Sequence, residues 1–153
     1  MKHTFSGSCQ CEAVRYLVRG TSVNLFVCHC TQCQRQSSSA FGMALWVSDY
    51  EIVSLSGALT TWSRQTANGQ TISGEFCAVC GTRIFHRPSA NDKVISIKPG
   101  TLDNARRLDP IAHIWTSEAH DWVQIPEACL RHEENPPGFE EMMNAWHHAL
   151  SRH

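Results

Sequence analysis

Within the six residues Cys28-His29-Cys30-Thr31-Gln32-Cys33 the chain places three thiols, at spacings C-x-C and C-x-x-C. The apolar run Val23 to Val27 leads into them and the polar segment Gln34 to Ser39 follows, which reads as a strand running into a turn that presents sulfur. Thiolates bind Zn²⁺ tightly, and one or two intervening residues bring neighbouring sulfurs to the separation that a tetrahedral ion needs. A structural zinc is normally closed by four protein ligands, whereas a catalytic one keeps three and leaves the fourth position to water or substrate. Either a fourth ligand arrives from elsewhere in the chain, or this metal is open for chemistry.

The other cysteines decide how to read that triplet. There are eight in 153 residues, and Met1-Lys2-His3-Thr4-Phe5-Ser6 runs straight to Gly7 and Cys9 with no apolar leader, so a cytoplasmic, reducing location is expected. There, metal is favoured over disulfides. Seven of the eight sort into Cys9 and Cys11, then Cys28, Cys30 and Cys33, then Cys77 and Cys80. The economical partition is a closed four-thiolate zinc at Cys9, Cys11, Cys77 and Cys80 and an open three-thiolate zinc at Cys28, Cys30 and Cys33, two zinc ions per chain. Spacing leaves open a different closure, with His29 or His86 completing the middle set. Cys129 stands alone after Pro126 and reads as a small buried hydrophobe. The segment Phe76-Cys77-Ala78-Val79-Cys80-Gly81 has the form of a zinc knuckle, its glycine permitting the tight backbone that points amides at sulfur.

Between these motifs the chain reads mainly as β-strand. Ala13 to Val18 is a strand after a turn, Gly20-Thr21-Ser22 breaks it, Ala40 to Val47 is a buried strand, and Tyr50 to Leu55 follows a Ser48-Asp49 turn. Leu59 to Ser63 and Thr71 to Phe76 flank Asn68-Gly69, a strong hairpin signal. Ile84 to Arg87, Val94 to Lys98 and Ile111 to Trp115 are further short strands. Only the C-terminus carries a helical pattern, with Phe139, Met142, Met143, Trp146, Ala149 and Leu150 on one stripe after Pro136-Pro137-Gly138. Glu140 and Glu141 lead it and His147, His148 and Arg152 end it, the sense that suits the helix dipole. The expected organisation is a zinc-binding domain over residues 1–130, with 131–153 forming a linker and a helix packed on it. No stretch approaches the roughly 20 apolar residues of a membrane span. The 13 Lys and Arg against 14 Asp and Glu supply no basic excess for a nucleic-acid surface.

At Gly7-Ser8-Cys9-Gln10-Cys11, Cys28 to Cys33 and Phe76 to Gly81 the chain resembles the glutathione-dependent formaldehyde-activating enzyme family, whose hallmark is G-x-C-x-C, C-x-C-x-x-C and F-C-x-x-C-G. The resemblance continues through Gly100-Thr101-Leu102-Asp103 and His113-Ile114-Trp115 and covers roughly Phe5 to Pro126. It departs at Glu12, where the family often has glycine, and from Arg131 onward, where no family signature maps. The resemblance implies a mainly β fold, a β-tent of short antiparallel sheets held by zinc, here with a C-terminal α-helix. It implies a structural zinc on the first and third motifs and an active-site zinc on Cys28, Cys30 and Cys33. It also implies a carbon-sulfur lyase activity, the joining of formaldehyde to glutathione as S-hydroxymethylglutathione. A small thiol such as glutathione is then the partner, because a vacant position on zinc accepts a fourth sulfur and lowers its pKa. His29, His86 and His113 are proton-donor candidates by residue type, and Arg35 could meet a peptide carboxylate. The alternative is a non-catalytic zinc module that binds a small thiol or a protein partner.

Overall fold

The computed structural model of the chain describes residues 1–152. Nine strands and two α-helices follow one another as β1 (His3–Ser8), β2 (Arg15–Cys28), α1 (Thr31–Ser37), β3 (Gly42–Ser56), β4 (Leu59–Gln65), β5 (Thr71–Cys77), β6 (Arg83–Pro88), β7 (Val94–Ile97), β8 (Ala112–Ile114), β9 (Leu130–Arg131) and α2 (Glu140–Leu150). The fold is mainly β with a C-terminal helix, as expected. No helix among the described residues is long and apolar enough to cross a membrane. The contacts divide into two units, one of residues 1–22 and 45–108, the other of residues 23–44 and 109 onward. The long strands β2 and β3 each contribute one part to either unit.

In the first unit the strands lie in the order β4, β5, β6, β7, β3, β2, with β1 also paired to β2. All the registered pairs there are antiparallel. Alternation puts Tyr16 and Val18 of β2, Leu45 and Val47 of β3, Phe85 of β6 and Ile95 and Ile97 of β7 in a buried core. The Tyr16 and Phe85 rings meet edge to face with centroids 5.0 Å apart. Removing a ring as enclosed as Phe85 costs about 3–5 kcal/mol. On the opposite face of the strands the register sets Trp62, Gly74, His86, Ser96 and Trp46 in a row from β4 to β3.

Gly20 does not break β2. A Cβ there would lie 2.5 Å from Val47 Cγ1 and 2.9 Å from the Ser48 carbonyl oxygen, so its role is close approach of two backbones within a continuous strand. Likewise the Ser48-Asp49 pair makes no turn. Asp49 takes φ 47° inside β3 and its N–H donates to Lys93 O at 3.0 Å, a local kink that the strand survives. The Asn68-Gly69 hairpin forms between β4 and β5 as the sequence requires, with Gly69 at φ 80°.

In the second unit Val23 to Cys28 of β2 is buried throughout, which explains its unbroken apolar composition. It pairs in parallel with β8, and β8 in parallel with β9. These pairs are exceptions to the all-antiparallel expectation, since a strand that returns through a long excursion is free to enter in the parallel sense. A helix also occupies residues 31–37, where the sequence reads as a turn that presents sulfur. Helix α2 buries Met142 and Trp146, and Phe139 at its start lies with its ring centroid 6.3 Å from that of Phe26 on β2. Its acidic first turn and histidine-bearing last turn complement the helix dipole.

Candidate metal centres

In the first unit two turns converge. The turn from β1 to β2 carries Cys9 and Cys11 and is closed by hydrogen bonds from Cys9 N–H to Val14 O at 3.0 Å and from Glu12 N–H to Cys9 O at 3.1 Å. Glu12 stands at φ 61°, a left-handed conformation that glycine adopts without cost. The turn from β5 to β6 carries Cys77 and Cys80, with Gly81 at φ 75° donating to Cys77 O at 2.9 Å. Thr82 joins the turns, for its hydroxyl oxygen accepts from Gln10 N–H at 3.2 Å and lies 3.1 Å from Cys80 Sγ.

The four sulfurs lie within 4.8 Å of one another and can hold a metal ion. Cys9 and Cys11 are 3.5 Å apart and Cys11 and Cys77 3.9 Å. A tetrahedron with metal–sulfur bonds of ~2.3 Å has edges of about 3.8 Å, so this set fits zinc. Backbone amides point at the sulfurs as well, Val14 N–H to Cys9 Sγ at 3.2 Å and Val79 N–H to Cys77 Sγ at 3.4 Å. Such amides stabilise thiolate. The Thr82 hydroxyl and amide pull the Cys80 thiol down to about 5.

In the second unit Cys28 closes β2, Cys30 caps α1 by accepting from Cys33 N–H at 3.4 Å, and Cys33 lies in the first turn of α1. Their three sulfurs also lie within 4.8 Å of one another, and among the described residues no fourth ligand atom joins them at that distance. Taken as thiols alone they divide the protons unevenly. Hydrogen bonds from Cys28 and Cys33 pull Cys30 down to about 2, while Cys30 and Cys33 push Cys28 far up. Three sulfurs this close together could hold a metal ion.

The helix is held from outside by polar side chains that sequence reasoning did not single out. The Gln34 side-chain amide donates to His29 O at 2.6 Å and to Glu118 O at 2.9 Å, and its oxygen lies 3.0 Å from His120 Nε2. The Glu118 carboxylate accepts from Thr31 N–H at 2.5 Å, an anion at the first turn of α1. Gln34 follows Cys33 directly, but Glu118 and His120 lie far along the chain with no motif to mark them.

The candidate proton donors separate. His29 is fully buried, its Nε2 lying 2.8 Å from His113 Nδ1 with the rings stacked, and no partner meets its own Nδ1. Burial lowers both, with His120 adding to the effect on His29 and with His29 and Arg131 adding to it on His113; His113 falls to about 4, so the pair is neutral at physiological pH. His86 belongs to the first unit, where it meets Arg83. Arg35 is exposed on α1, and Cys129 donates to Pro110 O at 3.3 Å, in neither sulfur group.

The glutathione-dependent formaldehyde-activating enzyme family model matches residues 4–118. No curated protein matches the chain. A crystal structure of a Rhodobacter sphaeroides protein, a structural-genomics target, is similar at 24% identity over 72% of this chain and 92% of that one, with a TM-score of 0.48. The family match takes in all three cysteine motifs and the strands that carry them, and the chain belongs to the glutathione-dependent formaldehyde-activating enzyme family.

Proposed function

We propose that the chain is a zinc-dependent carbon-sulfur lyase acting on thiol adducts, with glutathione and formaldehyde as the pair it joins or separates. In this reading Cys9, Cys11, Cys77 and Cys80 hold a structural zinc, and Cys28, Cys30 and Cys33 hold a second zinc in the active site. The single observation that carries it is the three-sulfur set with no fourth ligand atom among the described residues, in a chain of this family.

A zinc ion bound there supplies a Lewis acid that lowers the pKa of an incoming thiol. In the synthetic direction the thiol sulfur forms a bond to the formaldehyde carbon, the carbonyl π-electrons pass to oxygen, the S–H proton is released and the oxygen gains one. Cleavage is the reverse. The side chains of Gln34 and Glu118 serve by fixing the start of α1, so that Cys30 and Cys33 keep their spacing to Cys28.

The test is the rate of S-hydroxymethylglutathione formation, followed by exchange NMR against the spontaneous reaction. The expected result is a rate proportional to protein concentration in material with two zinc ions per chain, lost in Cys30→Ser. A fully zinc-loaded protein with no rate above background would reject the enzymatic reading.

A further inference from the structure

On the face of β4 to β7 that turns from the core, the first unit carries a set of cations that belongs to neither sulfur group. Arg64 follows Trp62 by two residues on β4, so both side chains emerge on the face that also bears Gly74 and His86. Arg83 reaches the same place. A Cβ on Gly74 would stand 1.7 Å from Arg83 Nη1, so the missing side chain is the space in which the guanidinium lies. The Phe76 ring centroid is 5.5 Å from Arg83 Cζ, and Arg83 Nη1 donates to His86 Nε2 at 3.1 Å.

A guanidinium fixed by a gap, a ring and an imidazole has already lost its conformational freedom, which is the state that favours binding. Among the described residues no carboxylate lies within 4.0 Å of Arg64 or Arg83. The glutamate on the intervening strand, Glu75, points the other way and pairs with Arg87 at 2.8 Å. The positive field here is strong enough, after burial, for Lys98, Arg83 and Arg64 together to help lower His86 to about 3. Beside the cations Trp62 is 56% exposed, a flat apolar surface next to charge.

We propose that Arg64 and Arg83, seated over Gly74 and flanked by Trp62, form a binding site for the carboxylate or phosphate group of a small organic anion. The guanidinium fork takes either oxyanion through paired N–H donors, and the tryptophan covers the ligand's carbon skeleton. A small ligand fits better than a polyanion, because the chain as a whole carries a net charge of −1.

Zinc-loaded full-length protein is titrated separately with glutarate and with inorganic phosphate, following the Arg83 Nε–H and Trp62 indole N–H signals by NMR. Saturable shifts of both signals with at least one anion are expected, and the tighter of the two names the group that the site prefers. Arg83→Met should weaken binding about tenfold and Arg64→Met about threefold, with zinc content unchanged. Gly74→Ala decides between a built site and loose positive charge, since it keeps every cation but displaces the guanidinium, and it should weaken binding as much as Arg83→Met. Absence of saturable shifts up to about 50 mM of either anion, which places any affinity below the millimolar range, overturns the proposal. So does unchanged binding in Gly74→Ala. If either of those variants fails to fold, Arg64→Met on the outer strand carries the test, and wild-type affinity in it likewise overturns the proposal.

Discussion

Glu12 occupies a backbone conformation that costs a non-glycine residue roughly 1–2 kcal/mol, in the turn that presents Cys9 and Cys11. Its compensation is slight, since the ion pair to Arg15 at 3.1 Å is largely solvated on both sides. Glu12→Gly should therefore hold stability within about 1 kcal/mol of wild type, relief of strain offsetting glycine's greater chain entropy, whereas Glu12→Val should lose about 1–2 kcal/mol. Urea denaturation of the zinc-loaded protein measures both. Tyr16 gives a second expectation. Burial raises its phenol to about 12, opposed only in part by the hydrogen bond to Thr101 at 2.7 Å. Folding thus favours the protonated form, so its contribution is complete below pH ~10 and is lost as the pH rises toward 12. Unfolding free energies at pH 9 and pH 11.5 should fall more for wild type than for Tyr16→Phe, while thiol titration is common to both proteins. An equal fall would mean that the phenol does not carry this limb.

At the level of elements, α1 is seven residues long and buries none of its side chains completely, so neither length nor an apolar face holds it. Its anchors are Gln34 and Glu118. Gln34→Ala removes the hydrogen bonds to His29 O and Glu118 O and should weaken metal at Cys28, Cys30 and Cys33 by about 10–100-fold, leaving the other sulfur group untouched. Competition with a chromophoric chelator reads the two groups as separate phases, and a shift of both phases would sink this assignment of roles. Other elements were legible in the sequence. Seven cysteines at metal spacing, the Asn68-Gly69 hairpin and the apolar stripe from Phe139 to Leu150 are local signals, and each element appeared where its residues put it. Gly20 and Asp49 misled because a strand can absorb a glycine or a single left-handed residue when a neighbouring strand supplies the reason, and that neighbour is distant in sequence. β8 and β9 pair in parallel between residues 18 apart, Ala112 with Leu130 and His113 with Arg131, for the same cause, non-local contact, which no periodicity records. Glu118 and His120 were invisible because their importance lies only in what they reach.

For the whole molecule, the two sulfur groups differ in what they tie together. Cys11 and Cys77 lie 3.9 Å apart across a sequence separation of 66, so a zinc ion on that group fixes the two ends of a long excursion, whereas Cys28 to Cys33 is local. Cys77→Ser should accordingly give insoluble protein or a large fall in melting temperature, since binding energy at such a group is folding energy, of order 10 kcal/mol. Cys30→Ser should leave a folded protein with one zinc fewer. Calorimetric melting beside metal analysis checks both, and equal collapse of the two variants would mean that neither group is spared from folding. The order in which those cysteines leave the ribosome has a consequence of its own. Cys9, Cys11, Cys28, Cys30 and Cys33 emerge well before Cys77, and at about 5–20 residues per second the interval is some seconds. Throughout it, five thiols are within reach of one another and the two that complete the first set do not yet exist. A zinc ion captured early would bridge Cys9 or Cys11 to the middle group, a mismatched chelate that later has to be surrendered. With zinc on both groups, maturation of this chain would be a problem of ligand exchange as well as of folding, and the pace of translation and the level of free zinc would enter its yield of native protein.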